Sequence, residues 1–165
     1  SAIVVLAVEA FPPPRSLSSP KASLPALTQE WSGIIGEAGG QIWERDDGAM
    51  LICWCDGELS ECIGSAVNTT MSLKRATKRA GYRLSAGLAP GVARLHADTG
   101  RPGEGWELAG PFYLARWMMN LSAHRGRPLL TEVGVKAVNK RENKTSLLGR
   151  ISILGNRYIN LYEVS

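Results

Sequence analysis

The chain has 165 residues, of which 44% are hydrophobic and 21% charged, and this is enough to bury the core of one domain. No stretch reaches the roughly 20 apolar residues of a membrane span, and the apolar start at residues 2–8 lacks the basic region of a signal sequence. The net charge of +4 is too small to indicate a nucleic-acid-binding surface. We therefore predict one domain over residues 1–165 that is cytoplasmic and has neither a membrane nor a nucleic acid as a partner.

A strand and a helix are predicted at the start of the chain. Residues 3–8 are continuously apolar, which is typical of a central strand covered on both faces. Prolines and serines interrupt residues 12–20, and apolar side chains then recur at helical spacing from Leu24 to Ala38. The glycine pair at 39–40 ends this amphipathic helix.

A β-hairpin is predicted after the first helix. Residues 41–45 and 49–55 favour strands, and the Asp-Asp-Gly sequence at 46–48 favours a tight turn because glycine tolerates a positive φ. The cysteines are odd in number, and we expect Cys53 and Cys55 to lie on opposite faces of the second strand. Neither a disulfide framework nor a zinc site is therefore indicated.

A long helix and a second strand pair complete the predicted core. Residues 56–80 place apolar side chains on one helical face, and Gly81 ends the helix. Residues 82–88 and 92–97 favour strands joined by a turn at the Pro-Gly pair 90–91. The order β-α-β-β-α-β predicts an α+β fold with a ferredoxin-like core, in which both helices pack on one face of an antiparallel sheet.

The remaining residues are predicted to form a C-terminal extension of this core. Their pattern favours a strand at 106–109, a helix at 111–123, a strand at 129–130, and final strands near 151–154 and 158–164. No internal repeat or linker interrupts them, which agrees with a single domain.

Several local sequence matches accompany this order of elements. They are Ala10-Phe11 ending the first strand, Gly39-Gly40 before Gln41-Ile42, the hairpin at 44–49, Gly87, Gly110 and the closing residues 160–164. Together they resemble the class III adenylate and guanylate cyclase domain over nearly the whole chain. Diguanylate cyclases share the ferredoxin-like core, but the hairpin here lacks their Gly-Gly-Asp/Glu-Glu-Phe signature.

The resemblance implies a metal site that this chain does not reproduce. The family uses two divalent ions, held by two aspartates, to join a ribose 3′-oxygen to the α-phosphate. The first aspartate position is Ala7, and the second is Gly48, with Asp47 one residue early. We therefore expect no cofactor. If the chain were active, Mg or Mn would need other ligands, for which the candidates are Glu9, Glu44, Asp46 and Asp47.

The transition-state and base-binding positions also differ from the family's pattern. The resemblance places the asparagine and arginine that steady the transferred phosphate at Leu114 and Met118, neither of which can donate a hydrogen bond. Arg116 would project from a different side of that helix. The base-binding positions hold Glu44 and Glu107, which are candidates for contacting a base or, equally, exposed strand residues.

The predicted helix at 111–123 carries a bulky apolar face. In the family, this helix lies along the cleft between two subunits. We predict that its apolar side chains fill that cleft or form a protein interface, with core packing as the rival interpretation. The interface candidates are Phe112, Tyr113, Trp117 and Met118.

Three functional hypotheses follow from the resemblance. The first is a catalytically inactive cyclase homology domain that acts in intracellular signalling as a regulatory, nucleotide-sensing or dimerisation module. It would partner a second copy or another signalling domain. The second is a divergent but active cyclase that forms cyclic nucleotide from ATP or GTP. The third is a domain that binds ATP or GTP without turnover, with Arg94 or Arg101 near the phosphates.

Overall fold

The structure is a computed structural model, which describes residues 2–12, 20–92, 110–153 and 157–165. The described chain contains seven strands: β1 (Ala2–Phe11), β2 (Gln41–Asp46), β3 (Ala49–Trp54), β4 (Arg83–Val92), β5 (Leu129–Thr131), β6 (Thr145–Ile153) and β7 (Arg157–Val164). Its helices are α1 (Leu24–Glu37), α2 (Leu59–Arg79), α3 (Gly110–Arg125) and α4 (Glu132–Lys136). The first three helices confirm the predicted ones to within about one turn.

All seven described strands belong to one sheet. Their order is β2-β3-β1-β4-β5-β7-β6, and every neighbouring pair is antiparallel except β4 and β5. The first four strands in this order form the predicted ferredoxin-like core with α1 and α2. The strands β5, β6 and β7 extend the sheet on one side, as the predicted C-terminal extension requires.

Helices cover both faces of the central strand β1. Its alternate residues Val4, Leu6 and Val8 are fully buried against α1 and α2, whose apolar faces form one core. The Nε1 of Trp31 in α1 donates a hydrogen bond of 3.1 Å to Thr77 Oγ1 in α2, which joins the two helices. The intervening residues of β1, Ala7 among them, face a second core under α3.

The predicted turn at residues 90–91 is wrong. β4 runs through Pro90 and Gly91, which both pair with β1. Proline removes a backbone donor, but β5 pairs with β4 only at Gly87 and Leu88. No strand of the described chain therefore adjoins Pro90 on that side, and the missing N–H breaks no ladder bond there.

The C-terminal extension contains more structure than its sequence pattern predicts. The helix α4 was not predicted, because its five residues are too few to show a helical repeat. β6 begins at Thr145 rather than near residue 151, and a bulge between Leu147 and Gly149 breaks the alternation that would have revealed the strand. Of the strand predicted at 92–97, Val92 is the last residue of β4 and the rest lies outside the described residues, as does the strand predicted at 106–109.

Candidate functional site

A β-bulge in β2 turns two consecutive side chains toward α3. The bulge lies between Ile42 and Glu44, and residue 43 is the extra residue. Glu44 pairs with Leu51, a member of the core beneath α3, so Glu44 also faces that side. Trp43 packs on the same core and stacks on Phe112 of α3, with 5.3 Å between ring centroids.

The close approach of α3 to β4 fixes where the helix lies. Gly87 pairs with Ala7 at the centre of the sheet, and α3 passes directly over it. A Cβ atom at Gly87 would lie 2.3 Å from the carbonyl oxygen of Ala115 and 2.6 Å from the Cβ of Met118. Glycine is therefore required for this contact.

The edge of α3 that faces the hairpin lines an open cleft of about 270 Å³, here named the hairpin cleft. The Arg116 guanidinium forms an ion pair with the Glu44 carboxylate in this cleft. Asn120 lies one turn after Arg116 and presents its side chain to the same cleft. The lining residues are Ala7, Glu44, Asp46, Ala49, Met50, Leu51, Arg116, Met119 and Asn120.

The hairpin cleft coincides with the position of the first metal aspartate implied by the resemblance, since Ala7 lines it. Glu9, two residues later in β1, lies on the same side of the strand but is not among the lining residues. At the second position, Gly48 has a φ of +86°, and a Cβ there would point at the Leu24 side chain of α1. An aspartate at Gly48 would therefore be strained and directed away from the cleft.

The residues of the hairpin cleft do not fit a divalent metal site. Ala7 and Gly48 offer no side-chain ligand, and Asp47 is exposed in the turn outside the cleft. Glu44 is paired with Arg116, which leaves Asp46 as the other carboxylate lining the cleft. Within the ranges that the structure describes, no three His, Cys, Asp or Glu side chains are grouped as metal ligands would be.

The helical residues singled out from the sequence fall in different environments. Leu114 lies on the opposite edge of α3 from Arg116, as predicted from the helical turn. Phe112 and Met118 are fully buried in the core, so the prediction that they form part of an interface is wrong. They are buried because they lie on the α3 face that contacts the sheet. Tyr113 and Trp117 are 57% and 37% exposed and remain interface candidates.

Asn120 is the cleft residue that the sequence reasoning missed. Counting from Gly110 assigns the family's amide and guanidinium positions to Leu114 and Met118. The detectable signal was Arg116 followed by Asn120 at a spacing of four, which puts both on one helical face. The second base-binding candidate, Glu107, lies outside the described residues, as do Arg94 and Arg101.

The cysteines offer no nucleophile to this region. Cys53 and Cys55 both pack on the α3 side of β3, so the prediction of opposite faces is wrong, because residues two apart in a strand share a face. Burial raises the pKa of Cys53 far above its ordinary value, and it also raises the pKa of Cys55 and Cys62. The thiols are therefore protonated at neutral pH, and a protonated thiol is a poor nucleophile.

The solved structures that are similar to this chain include nucleotide cyclases. The chain is similar to the adenylyl cyclase CyaB from P. aeruginosa, at 17% identity and a TM-score of 0.67, covering 99% of this chain and 93% of that one. It is also similar to the guanylate cyclase domain of RhGC from Catenaria anguillulae in complex with GTP, at 16% identity and a TM-score of 0.61, covering 99% and 96%. The Adenylate/Guanylate Cyclase/Hydrolase from Silicibacter pomeroyi gives 15% identity and a TM-score of 0.64, covering 99% and 95%.

The similarity to these structures is not accompanied by a detectable similarity in sequence. No protein-family model matches the chain, and no curated protein is significantly similar to it in sequence. Among the described helices, none is both long and apolar enough to cross a membrane. The element order, the sheet and the whole-chain structural matches agree, and the chain therefore has the fold of the class III adenylyl and guanylyl cyclase catalytic domain.

Proposed function

We propose that this chain is a cyclase-fold domain that forms no cyclic nucleotide and acts in intracellular signalling as a regulatory, nucleotide-sensing or dimerisation module. The ion pair between Arg116 and Glu44 carries this proposal. It lies in the cleft that Ala7 lines, where the family's chemistry calls for an aspartate and a divalent cation.

The charge of Arg116 opposes a metal ion in the hairpin cleft. A guanidinium a few ångströms from a divalent cation costs roughly 2 kcal/mol even at the dielectric of water. The Glu44 carboxylate that would offset this repulsion is held by Arg116, and Ala7 supplies no carboxylate at the first metal position. Both partners of the ion pair are partly exposed, so the pair itself contributes less than about 1 kcal/mol to folding. Its importance is that it engages Glu44, so that this carboxylate is not free to bind a metal ion in the cleft.

A divergent active cyclase is the second candidate, and one observation favours it. Asp46 lines the hairpin cleft, and Glu9 lies on the same side of β1 as Ala7. These carboxylates would have to replace the two family aspartates. Nucleotide sensing is the form of the first candidate that requires binding of ATP or GTP but gives no product.

The test is an assay for cyclic AMP and cyclic GMP, with calorimetry of ATP and GTP binding on the same samples, each with manganese and with EDTA. We expect no product under any condition. Ala7→Asp should also remain inactive, because Gly48 and Arg116 are unchanged. Manganese-dependent product that disappears in Asp46→Asn would overturn the proposal, with Asp47→Asn as the matched control. Binding in EDTA without product would assign nucleotide sensing.

A further inference from the structure

Among the described strands, the sheet has an opening beside β5, which is the shortest of them. β5 has three residues. Its first two pair with Gly87 and Leu88 of β4, and its last, Thr131, pairs with Leu161 of β7. β4 continues to Val92 and β7 starts at Arg157, and no described strand lies between these two extensions. Two strand spacings separate β4 from β7, so this opening, here named the β5 gap, is roughly 10 Å wide.

The β5 gap forms a cleft of about 420 Å³ on the opposite edge of α3 from the hairpin cleft. Leu114 of α3, Val133 of α4 and Ile159 of β7 supply apolar surface to it. Val133 is 46% exposed, and the other two are partly buried. A small ligand with an apolar body would cover these side chains and remove them from water.

A buried hydroxyl without a partner lines the same cleft. Thr131 is 6% exposed, and its Oγ1 has no hydrogen-bond partner among the described residues. It stands at the N-cap of α4 but makes no side-chain capping bond. The oxygen exposes less than 1 Å², so Thr131 belongs to the wall of the cleft and does not contact a ligand directly.

Two opposite charges line the cleft without pairing with each other. The guanidinium carbon of Arg150 lies 5.2 Å from the centroid of the Tyr158 ring, which holds its donor fork in place. Glu132, the first residue of α4, contributes a carboxylate. Neither side chain takes part in the ion pairs of the described chain, which join Arg79–Glu30, Arg116–Glu44, Arg125–Glu163 and Arg127–Glu163.

We propose that the β5 gap binds a small zwitterion with an apolar body, such as an α-amino acid with an apolar side chain. The ligand carboxylate pairs with Arg150, its ammonium pairs with Glu132, and its apolar side chain contacts Leu114, Val133 and Ile159. This site is separate from the hairpin cleft and does not depend on the proposed function.

The test is an NMR titration of the full chain with L-phenylalanine, L-leucine, 3-phenylpropionate and 2-phenylethylamine. The last two probes lack the ammonium and the carboxylate of phenylalanine respectively. We expect saturable shifts around Thr131 and Leu114 with an amino acid, and about fivefold weaker binding of each truncated probe, the upper end for an exposed ion pair. Arg150→Gln should weaken phenylalanine about fivefold and leave phenylethylamine unchanged. Glu132→Gln should also weaken the binding of phenylalanine about fivefold, but it should leave the binding of phenylpropionate unchanged.

Arg157→Gln is the matched control, because Arg157 is an exposed arginine at the start of β7 that is not among the residues lining the cleft. It should bind all four probes as the wild type does. The proposal is overturned if neither amino acid gives saturable shifts at the gap. It is also overturned if Arg150→Gln leaves the preference for a carboxylate intact.

Discussion

Glu163 near the end of β7 is held by more charged neighbours than any other carboxylate of the described chain. Its side chain is buried, with 10% exposed, and it accepts hydrogen bonds from Arg125 Nε at 3.2 Å and from Arg127 Nη1 at 3.1 Å. Ser146 Oγ is 3.5 Å away. The hydrogen bond from Arg125 lowers the pKa of Glu163 below its ordinary value of 4.5, although burial opposes the shift.

A lowered pKa in the folded state makes the free energy of unfolding depend on pH. The stabilisation by ionised Glu163 is fully present above pH 4.5, its ordinary value, and is lost as the pH falls through the lower pKa of the folded state. We expect Glu163→Gln to lower the free energy of unfolding by about 1 kcal/mol at neutral pH, because both arginines are half exposed. The deficit should shrink as the pH falls below 4.5.

Urea unfolding at neutral and acidic pH measures this difference. Glu30→Gln is the control, since Glu30 pairs with Arg79 at the exposed surface and should change stability little at either pH. An equal deficit for Glu163→Gln at both pH values would show that its charge has no part in stability.

The helix α3 depends on its closest contact with the sheet, at Gly87. Substitution by alanine places a methyl group against backbone atoms of Ala115 and Met119, which cannot rotate away. We expect Gly87→Ala to reduce the free energy of unfolding by about 1–3 kcal/mol, the usual cost of overpacking. A shift of α3 would also separate Arg116 from Glu44.

Gly64→Ala is the matched control for this prediction. Gly64 lies in α2 with nothing within 4 Å of an added Cβ, so alanine should be neutral or stabilising by up to about 1 kcal/mol. Thermal and urea unfolding of both variants gives the comparison. Equal stability of the two variants would mean that α3 does not approach β4 this closely.

At the scale of the whole molecule, the outer face of α3 presents two exposed aromatic side chains. Tyr113 and Trp117 lie one turn apart on it and are 57% and 37% exposed. We predict a homodimer through this face, because exposed aromatic pairs are enriched at protein interfaces. Trp117→Ser with Tyr113→Ser should shift the protein to monomer in sedimentation velocity at about 100 µM, where weak dimers are populated.

Leu147→Ser provides the control, since Leu147 is 60% exposed but lies on β6 at the far edge of the sheet. It should leave the sedimentation coefficient unchanged. A wild-type protein that sediments as a monomer at the same concentration would contradict the predicted dimer.

The sequence by itself determined the elements whose side chains repeat in one regular pattern. Local geometry determines the apolar run in β1 and the helical spacing in α1 and α2. It also determines the turn at residues 46–48. These elements specify the ferredoxin-like core, and their order was enough to suggest the fold of the class III cyclases. The substitutions at Ala7 and Gly48 were equally visible, because they depend only on residue identity.

Only the tertiary structure decided how the two clefts are assembled. The bulge at Trp43 places Glu44 opposite Arg116. A one-residue bulge cannot be recognised in the sequence, because β2 is too short for its alternation of apolar and polar side chains to show the interruption. β4 continues through Pro90 because no described strand adjoins it there, which a local turn signal cannot reveal. The β5 gap likewise depends on strand neighbours distant in sequence. Local patterns specify conformation, whereas the neighbours that determine each site are set by long-range contacts.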